Sequence, residues 1–254
     1  MCFELDSLPP IPPLSGGAPV RLEDLTLRAA DGNELAAFAA IPDEPGPVGV
    51  VVLPDVRGLY RFYEELALRF AERGYVAVAI DYFGRTAGVA KRDDDFEYMP
   101  HVRQTQPGLV QQDVAAGVGH LRKLECASIF TVGFCFGGRN SWLAAAGGHG
   151  LAGAIGFYGS TVERNGAPGP TQRAAELAAP ILALQAGDDA NILPEHNAAF
   201  DAALTAAGVE HELVVYDGAP HSFFDRKFEE HADASADAWE RVLAFIAQHA
   251  SNGG

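Results

Sequence analysis

Four residues in this chain could do chemistry together if folding brings them into one place: a cysteine, one of two neighbouring aspartates, a histidine and a further aspartate. Cys135 sits in Gly133-Phe134-Cys135-Phe136-Gly137-Gly138. A thiol becomes a strong nucleophile as its thiolate, which a nearby imidazole or a helix N-terminus favours. His221, in Pro220-His221-Ser222-Phe223, is the candidate base, able to take the thiol proton and later hand it to a leaving group. Asp188 and Asp189 compete to orient that imidazole, and the frame Ala186-Gly187-x-Asp189-x-x-Ile192 favours Asp189. Asp55, in Pro54-Asp55-Val56-Arg57-Gly58, is the fourth group, either a modulator of the thiol or a turn-forming aspartate after proline.

Such groups must be positioned by a scaffold, and the hydrophobic pattern supplies one. Val48–Leu53, Tyr75–Ile80, Ser128–Phe134, Leu151–Tyr158 and Pro180–Gln185 are apolar runs of the kind that form strands buried on both faces. Helical stretches are expected at Tyr60–Arg73, Gln111–Leu124, Asn140–Gly147, Thr171–Ala179, Glu195–Ala207 and Glu229–His249. Strands alternating with helices predict an α/β fold with a mostly parallel central sheet and helices on both faces. Leu22–Leu27 and Glu34–Ile41, joined by Asp31-Gly32-Asn33, predict an N-terminal antiparallel hairpin. Glu212–Tyr216 predicts the last strand, ending at Asp217-Gly218-Ala219-Pro220 just before His221.

In this arrangement Asp55, Cys135, Asp189 and His221 each follow the carboxyl end of a strand, where open α/β sheets carry their functional groups. Strand, sharp turn and helix around Cys135, with Gly133 and Gly137 two residues to either side, is the context of a nucleophile elbow. The backbone N–H of Phe136 and one from the loop after Val48–Leu53, most simply that of Val56, would then form an oxyanion hole.

Residues 1–19, with Pro9, Pro10, Pro12, Pro13 and Pro19, read as an extended arm, and residues 20–254 as a single domain. Residues 86–107 lack periodicity, and a segment of this length usually has a function such as covering a site. A net charge of −16 argues against nucleic acid or an anionic membrane as partner, since both need cationic patches. Cys2, Cys126 and Cys135 have neither the spacing of a zinc site nor an even count for a disulfide framework. Without a signal-peptide pattern or a membrane-spanning apolar run, a cytoplasmic protein with free thiols is expected.

Taken together, Gly133-Phe134-Cys135-Phe136-Gly137-Gly138, Gly156-Phe157-Tyr158-Gly159 and His221-Ser222-Phe223 resemble the dienelactone hydrolase (carboxymethylenebutenolidase) family, over nearly the whole chain from about Val20. The resemblance implies an α/β-hydrolase fold, whose chain order of nucleophile, acid and histidine is the one found here. It further implies a monomer without cofactor or metal, at most a weak homodimer. Cys135, Asp189 and His221 would form the catalytic triad, acting on a small ester or lactone through an acyl-thioenzyme. Asp55 stands where the family has a glutamate that contacts the resting thiol, one methylene longer. Arg85, after Asp81-Tyr82-Phe83-Gly84, matches one of two arginines that hold the carboxylate of the dienelactone; the second falls at Asp225, of opposite sign, with Arg226 beside it. Tyr158 and Phe223 are further candidate substrate contacts, and Phe62, Phe136 and Phe224 could add to an apolar wall. Alternative functions are a broad carboxylesterase, a non-catalytic ligand-binding protein on the same fold, and a redox-sensing thiol. The last requires a resolving cysteine, and Cys126 lies at the far end of the strand that leads to Cys135.

Overall fold

A computed structural model describes residues 7–14, 20–225 and 229–250. Its centre is one eight-stranded sheet: β1 (Val20–Arg28), β2 (Glu34–Pro42), β3 (Val48–Leu53), β4 (Val76–Ile80), β5 (Ser128–Phe134), β6 (Gly153–Phe157), β7 (Ile181–Asp188) and β8 (His211–Pro220). The strands lie in the order β1-β2-β4-β3-β5-β6-β7-β8. β1 and β2 form the expected antiparallel hairpin, β2 meets β4 antiparallel, and every later neighbour pair is parallel.

Every residue of β3, β4, β5 and β6 is buried, which is why these segments read as unbroken apolar runs rather than alternations. Successive side chains still face opposite ways. Val50 and Val52 join Phe62, Phe70 and Trp239 on one face. Val51 and Leu53 join Val114, Val118 and Leu121 on the other. The first face is covered by α1 (Arg61–Ala71) and, further along the chain, by the closing helix Ala232–His249. Between α1 and the second-face helix lie two short helices, α2 (Gly84–Ala87) and α3 (Tyr98–Val102); α4 (Pro107–Lys123) covers the second face. α5 (Phe136–Ala144) follows the elbow, α6 (Pro194–Ala207) follows β7, and α7 is the closing helix.

Several expectations need correcting. The helix expected over Thr171–Ala179 is a single 3-10 turn, Ala174–Glu176. The last strand does not stop at Tyr216. β8 continues to Pro220, paired with β7 across an irregularity between Ala186 and Asp188. The turn-forming residues Asp217 and Gly218 accommodate that irregularity, Gly218 at φ +69°. Residues 86–107 are not structureless: Arg92 pairs with buried Asp81 at 2.7 Å and the amide of Arg92 donates to Leu59 at 2.8 Å. Lys91 pairs with Asp24 at 2.5 Å and with Glu64 at 2.8 Å. Only residues 7–14 of the expected arm are described. Ile11 is buried among the first-face residues and the Leu14 amide donates to Glu72 at 3.3 Å.

Candidate active site

β5 delivers the chain to Cys135, which takes φ 54° and ψ −109° before α5 begins. A non-glycine residue in such a conformation costs about 1–3 kcal/mol and is held there by its surroundings. The Cys135 amide donates to the Phe157 carbonyl at 3.0 Å, pinning the turn to the end of β6. A Cβ on Gly133 would run into the carbonyl of Gly137, and one on Gly137 into the carbonyls of Leu53 and Pro54. Glycine at both positions therefore lets the turn close against β3. The thiol is half-buried at the N-terminus of α5, where the helix dipole favours negative charge.

β7 ends at Asp188, which is exposed and in register with Pro220 of β8. The next residue, Asp189, has left the ladder and is 7% exposed. Its carboxylate Oδ2 lies 2.6 Å from Nδ1 of His221, and Oδ1 accepts the Asn191 amide at 2.8 Å. The geometry thus separates the two aspartates: the one beyond the strand meets the histidine. Burial by itself would raise the Asp189 carboxyl, but the hydrogen bond with His221 and the amides of Asn191 and Ile192 outweigh it and hold it below the ordinary aspartate value. With Nδ1–H donating to Asp189, Nε2 is left as the proton acceptor. The Tyr158 ring packs on the imidazole at 4.9 Å between centroids, and its hydroxyl donates to buried Asp225 at 2.7 Å.

Cys135 and His221 open into a common cavity of about 930 Å³, whose lining also includes Val56, Phe136 and Tyr158. Neither the Val56 nor the Phe136 amide donates to another group among the described residues. The segment 86–107 contributes Met99, Val102, Arg103, Thr105, Gln106 and Pro107, so this stretch forms one wall of the cavity.

Three other expected contacts, Asp55, Arg85 and Phe223, are not on the cavity surface. Asp55 is fully buried and not on the cavity surface; its Oδ1 accepts the Arg57 amide at 2.8 Å, the bond of an Asx turn, and its carbonyl accepts the Gly58 amide at 3.2 Å. Arg85 is not in the cavity either. Its guanidinium is held by Asp31 at 2.7 Å and by buried Asp113 at 2.5 Å, in place of the anion-holding role expected of it. Phe223 is fully buried between Phe157, Tyr158 and Tyr216 and belongs to the core, as do Phe62 and Phe224. The reason is common to all three: aromatic rings beside a catalytic loop are also what the sheet buries. Arg226 lies outside the described residues. Cys126 is buried just before β5, and burial pushes its thiol up to about 11.

The reading of the sequence missed Arg103, Arg139, Arg164, Asn165 and Asn191 on the cavity surface. Arg139 could have been found, because it lies one helical turn after Cys135. The others sit on irregular segments with no periodic signal. Arg139 spans the loop after β6, donating to the carbonyls of Ser160 at 3.2 Å, Ala167 at 3.2 Å and Pro168 at 3.1 Å, and to that of Val162. Burial brings its guanidinium down to about 10, and the charge of Arg164 adds to the effect. Among the described residues no three or more His, Cys, Asp or Glu side chains gather as a metal site, and no helix is long and apolar enough to cross a membrane.

Comparison with known proteins agrees with this architecture. The dienelactone hydrolase family model matches residues 35–250. A Yersinia pestis protein provisionally named carboxymethylenebutenolidase is 31% identical over 230 residues, covering 87% of this chain and 86% of its own. An Escherichia coli K12 protein with the same provisional name is 30% identical over 237 residues, covering 87% and 84%. A crystal structure from Klebsiella pneumoniae, provisionally named dienelactone hydrolase, superposes with a TM-score of 0.79 at 27% identity, over 91% of this chain and 99% of that one. The sheet order, the elbow and these matches together make the fold that of an α/β-hydrolase, and the chain belongs to the dienelactone hydrolase family of ester and lactone hydrolases.

Proposed function

We propose that the chain hydrolyses a small ester or lactone through a Cys135-His221-Asp189 triad and an acyl-thioenzyme. The observation that carries this reading is the hydrogen bond of 2.6 Å between His221 and Asp189 on the rim of a cavity that the strained Cys135 also enters. Sγ attacks the carbonyl carbon while its proton passes to Nε2 of His221. Asp189, ionised at neutral pH, stabilises the imidazolium and fixes its tautomer. The oxyanion is received by the amides of Phe136 and Val56, each such donor contributing roughly 2.7–4 kcal/mol to the transition state. The imidazolium then protonates the departing alkoxide; in a lactone this opens the ring and leaves the alcohol tethered. Water, deprotonated by His221, breaks the thioester and releases the acid. Asp55, held in its turn, shapes the backbone that presents the Val56 amide.

A broad carboxylesterase is the second reading, favoured by a cavity of about 930 Å³, near the top of the usual range for small-molecule sites. Turnover of 4-nitrophenyl acetate and of a dienelactone, by wild type and Cys135→Ala in parallel, tests both. Loss of about a thousandfold or more in Cys135→Ala is expected. The ratio of the two wild-type rates separates lactonase from general esterase. Equal rates in variant and wild type would overturn the triad.

A further inference from the structure

The cavity beside Cys135 has two walls that belong to different cores. Tyr158 and Ile192 are buried in the first-face core, and Cys135 packs against that core. Val110 of α4 is buried in the second-face core, with Val102 and Phe136 packed against it. His221 stands on the first wall, held by Asp189 at 2.6 Å and by the Tyr158 ring. Phe136, whose amide is an oxyanion donor in the proposed reaction, stands on the second. α3 completes the second wall with its polarity reversed. Its histidine, His101, turns to the aromatic rings, stacked on Phe96 at 5.1 Å and lying 6.0 Å from Phe83. Its methionine, Met99, lines the cavity instead, 44% exposed and in none of the buried clusters. Met99 and Val102 are three residues apart and so share one face of the helix, at the cavity. A single exposed apolar side chain is ordinary, but this one continues a concave wall of Val102, Val110 and Phe136. Contiguous apolar surface of that kind costs free energy in water, which an apolar ligand lying on it would remove.

We infer that Met99, Val102 and Val110 form the acyl wall of the site, and that the ester it takes carries an apolar acyl group of several carbons. The stereochemistry of the reaction assigns the walls. In the tetrahedral adduct one carbon holds Sγ, the oxyanion, the leaving oxygen and the acyl chain. The oxyanion goes to the amides of Phe136 and Val56, and the leaving oxygen must lie within hydrogen-bond reach of Nε2 of His221. The alcohol part therefore lies along the His221 wall, where Ser160, Arg164 and Asn191 supply polar groups. The acyl chain is left the opposite wall, where each methylene it buries is removed from water. Methionine suits such a wall, because its three rotatable bonds and polarisable sulfur adapt to chains of different shape. The exposed Arg103 and Gln106 border this wall, so its solvent edge is polar. The inference deepens the ester-hydrolase reading and rests on it for the acyl assignment, but not for the binding of an apolar chain.

The test compares 4-nitrophenyl acetate, butanoate and hexanoate, which share a leaving group and differ only in acyl length, each corrected for uncatalysed hydrolysis. Wild-type kcat/KM is expected to rise about tenfold from acetate to hexanoate, as partial burial of the added methylenes would give. Met99→Ser, at an exposed position outside every core, should lower the hexanoate-to-acetate ratio by about fivefold, and Met99→Leu should restore it. Leu22→Ser removes a comparably exposed apolar side chain from β1, 51% exposed and away from the cavity, and should leave the ratio unchanged. In parallel, hexanamide, a neutral amide in place of the ester, should raise the Tm more than acetamide does at equal concentration, by a margin lost in Met99→Ser but kept in Leu22→Ser. A ratio that falls in Met99→Ser and returns in Met99→Leu supports the acyl wall. A wild type indifferent to acyl length, or a ratio unmoved in Met99→Ser, overturns it. Where wild type hydrolyses none of the esters, the amides decide: a hexanamide margin that depends on Met99 leaves the wall standing and the ester-hydrolase reading fallen, and the lack of one overturns the wall as well.

Discussion

At the residue scale the site depends on where one carboxylate sits relative to the end of a strand. Asp188 completes the β7 ladder and faces solvent, while Asp189 turns inward to His221. Asp189→Asn would keep the size of the side chain but favour the wrong imidazole tautomer. The expected outcome is a fall in kcat of about 10⁴-fold with the thermal midpoint little changed, by analogy with serine triads, and steady-state kinetics beside a melting curve would check it. The same carboxylate has a pH signature. Its folded value lies below the ordinary 3.8, so its contribution to stability is complete above that value and is lost as pH falls through the folded value. Urea midpoints measured between pH 5 and pH 2.5 should fall more steeply for wild type than for Asp189→Asn. Parallel slopes would mean that the bond to His221 does not stabilise the ionised form. Nothing in Ala186-Gly187-Asp188-Asp189 forces this distinction, because it depends on how far β7 and β8 pair. The frame favoured Asp189, and strand pairing supplies the physical ground.

At the scale of elements, the legible parts were those with a local cause. Unbroken apolar runs marked β3 to β6, Asp31-Gly32-Asn33 marked the hairpin, and Gly133 and Gly137 marked a turn packed against β3. What was not legible depended on partners distant in sequence. Arg85 follows a strand, as a substrate-binding arginine might, yet it is bound by an aspartate 54 residues before it and another 28 residues after it. That cluster ties α2 to α4 and to the β1–β2 turn, with Asn33 also donating to Asp113 at 3.0 Å. Removing Arg85 leaves the fully buried Asp113 with the Asn33 side-chain amide but no counter-charge, so Arg85→Ala should cost about 3 kcal/mol of stability, read from urea unfolding. The wall formed by residues 98–107 was hidden for the same reason. α3 is short, and the contacts that hold its approach tie it to the residue after β4, as Arg92 does with Asp81, or stay within an aperiodic segment, as Phe96 stacked on His101 at 5.1 Å does.

At the scale of the molecule, the described residues of the N-terminal arm stand apart from the cavity that holds Cys135 and His221. Residues 8–13 run over α1 and α7 beside Glu65, Arg69, Ala232 and Ala236, and none of residues 7–14 lines the cavity that holds Cys135 and His221. Its contribution is therefore to packing. Ile11 is 5% exposed, and full burial of such a side chain is worth roughly 1.5–3 kcal/mol before the entropy of ordering the arm is deducted. The prolines at 9, 10, 12 and 13 limit that deduction, because they restrict the unfolded chain in advance. Deleting residues 1–14 should then lower stability by about 1–2 kcal/mol, a fall in Tm of about 2–8 °C for a chain of this size. It should leave kcat/KM for 4-nitrophenyl acetate unchanged. A rise in kcat/KM on deletion would show instead that the arm obstructs the cavity, and an unchanged Tm would show that Ile11 contributes nothing to the face it covers.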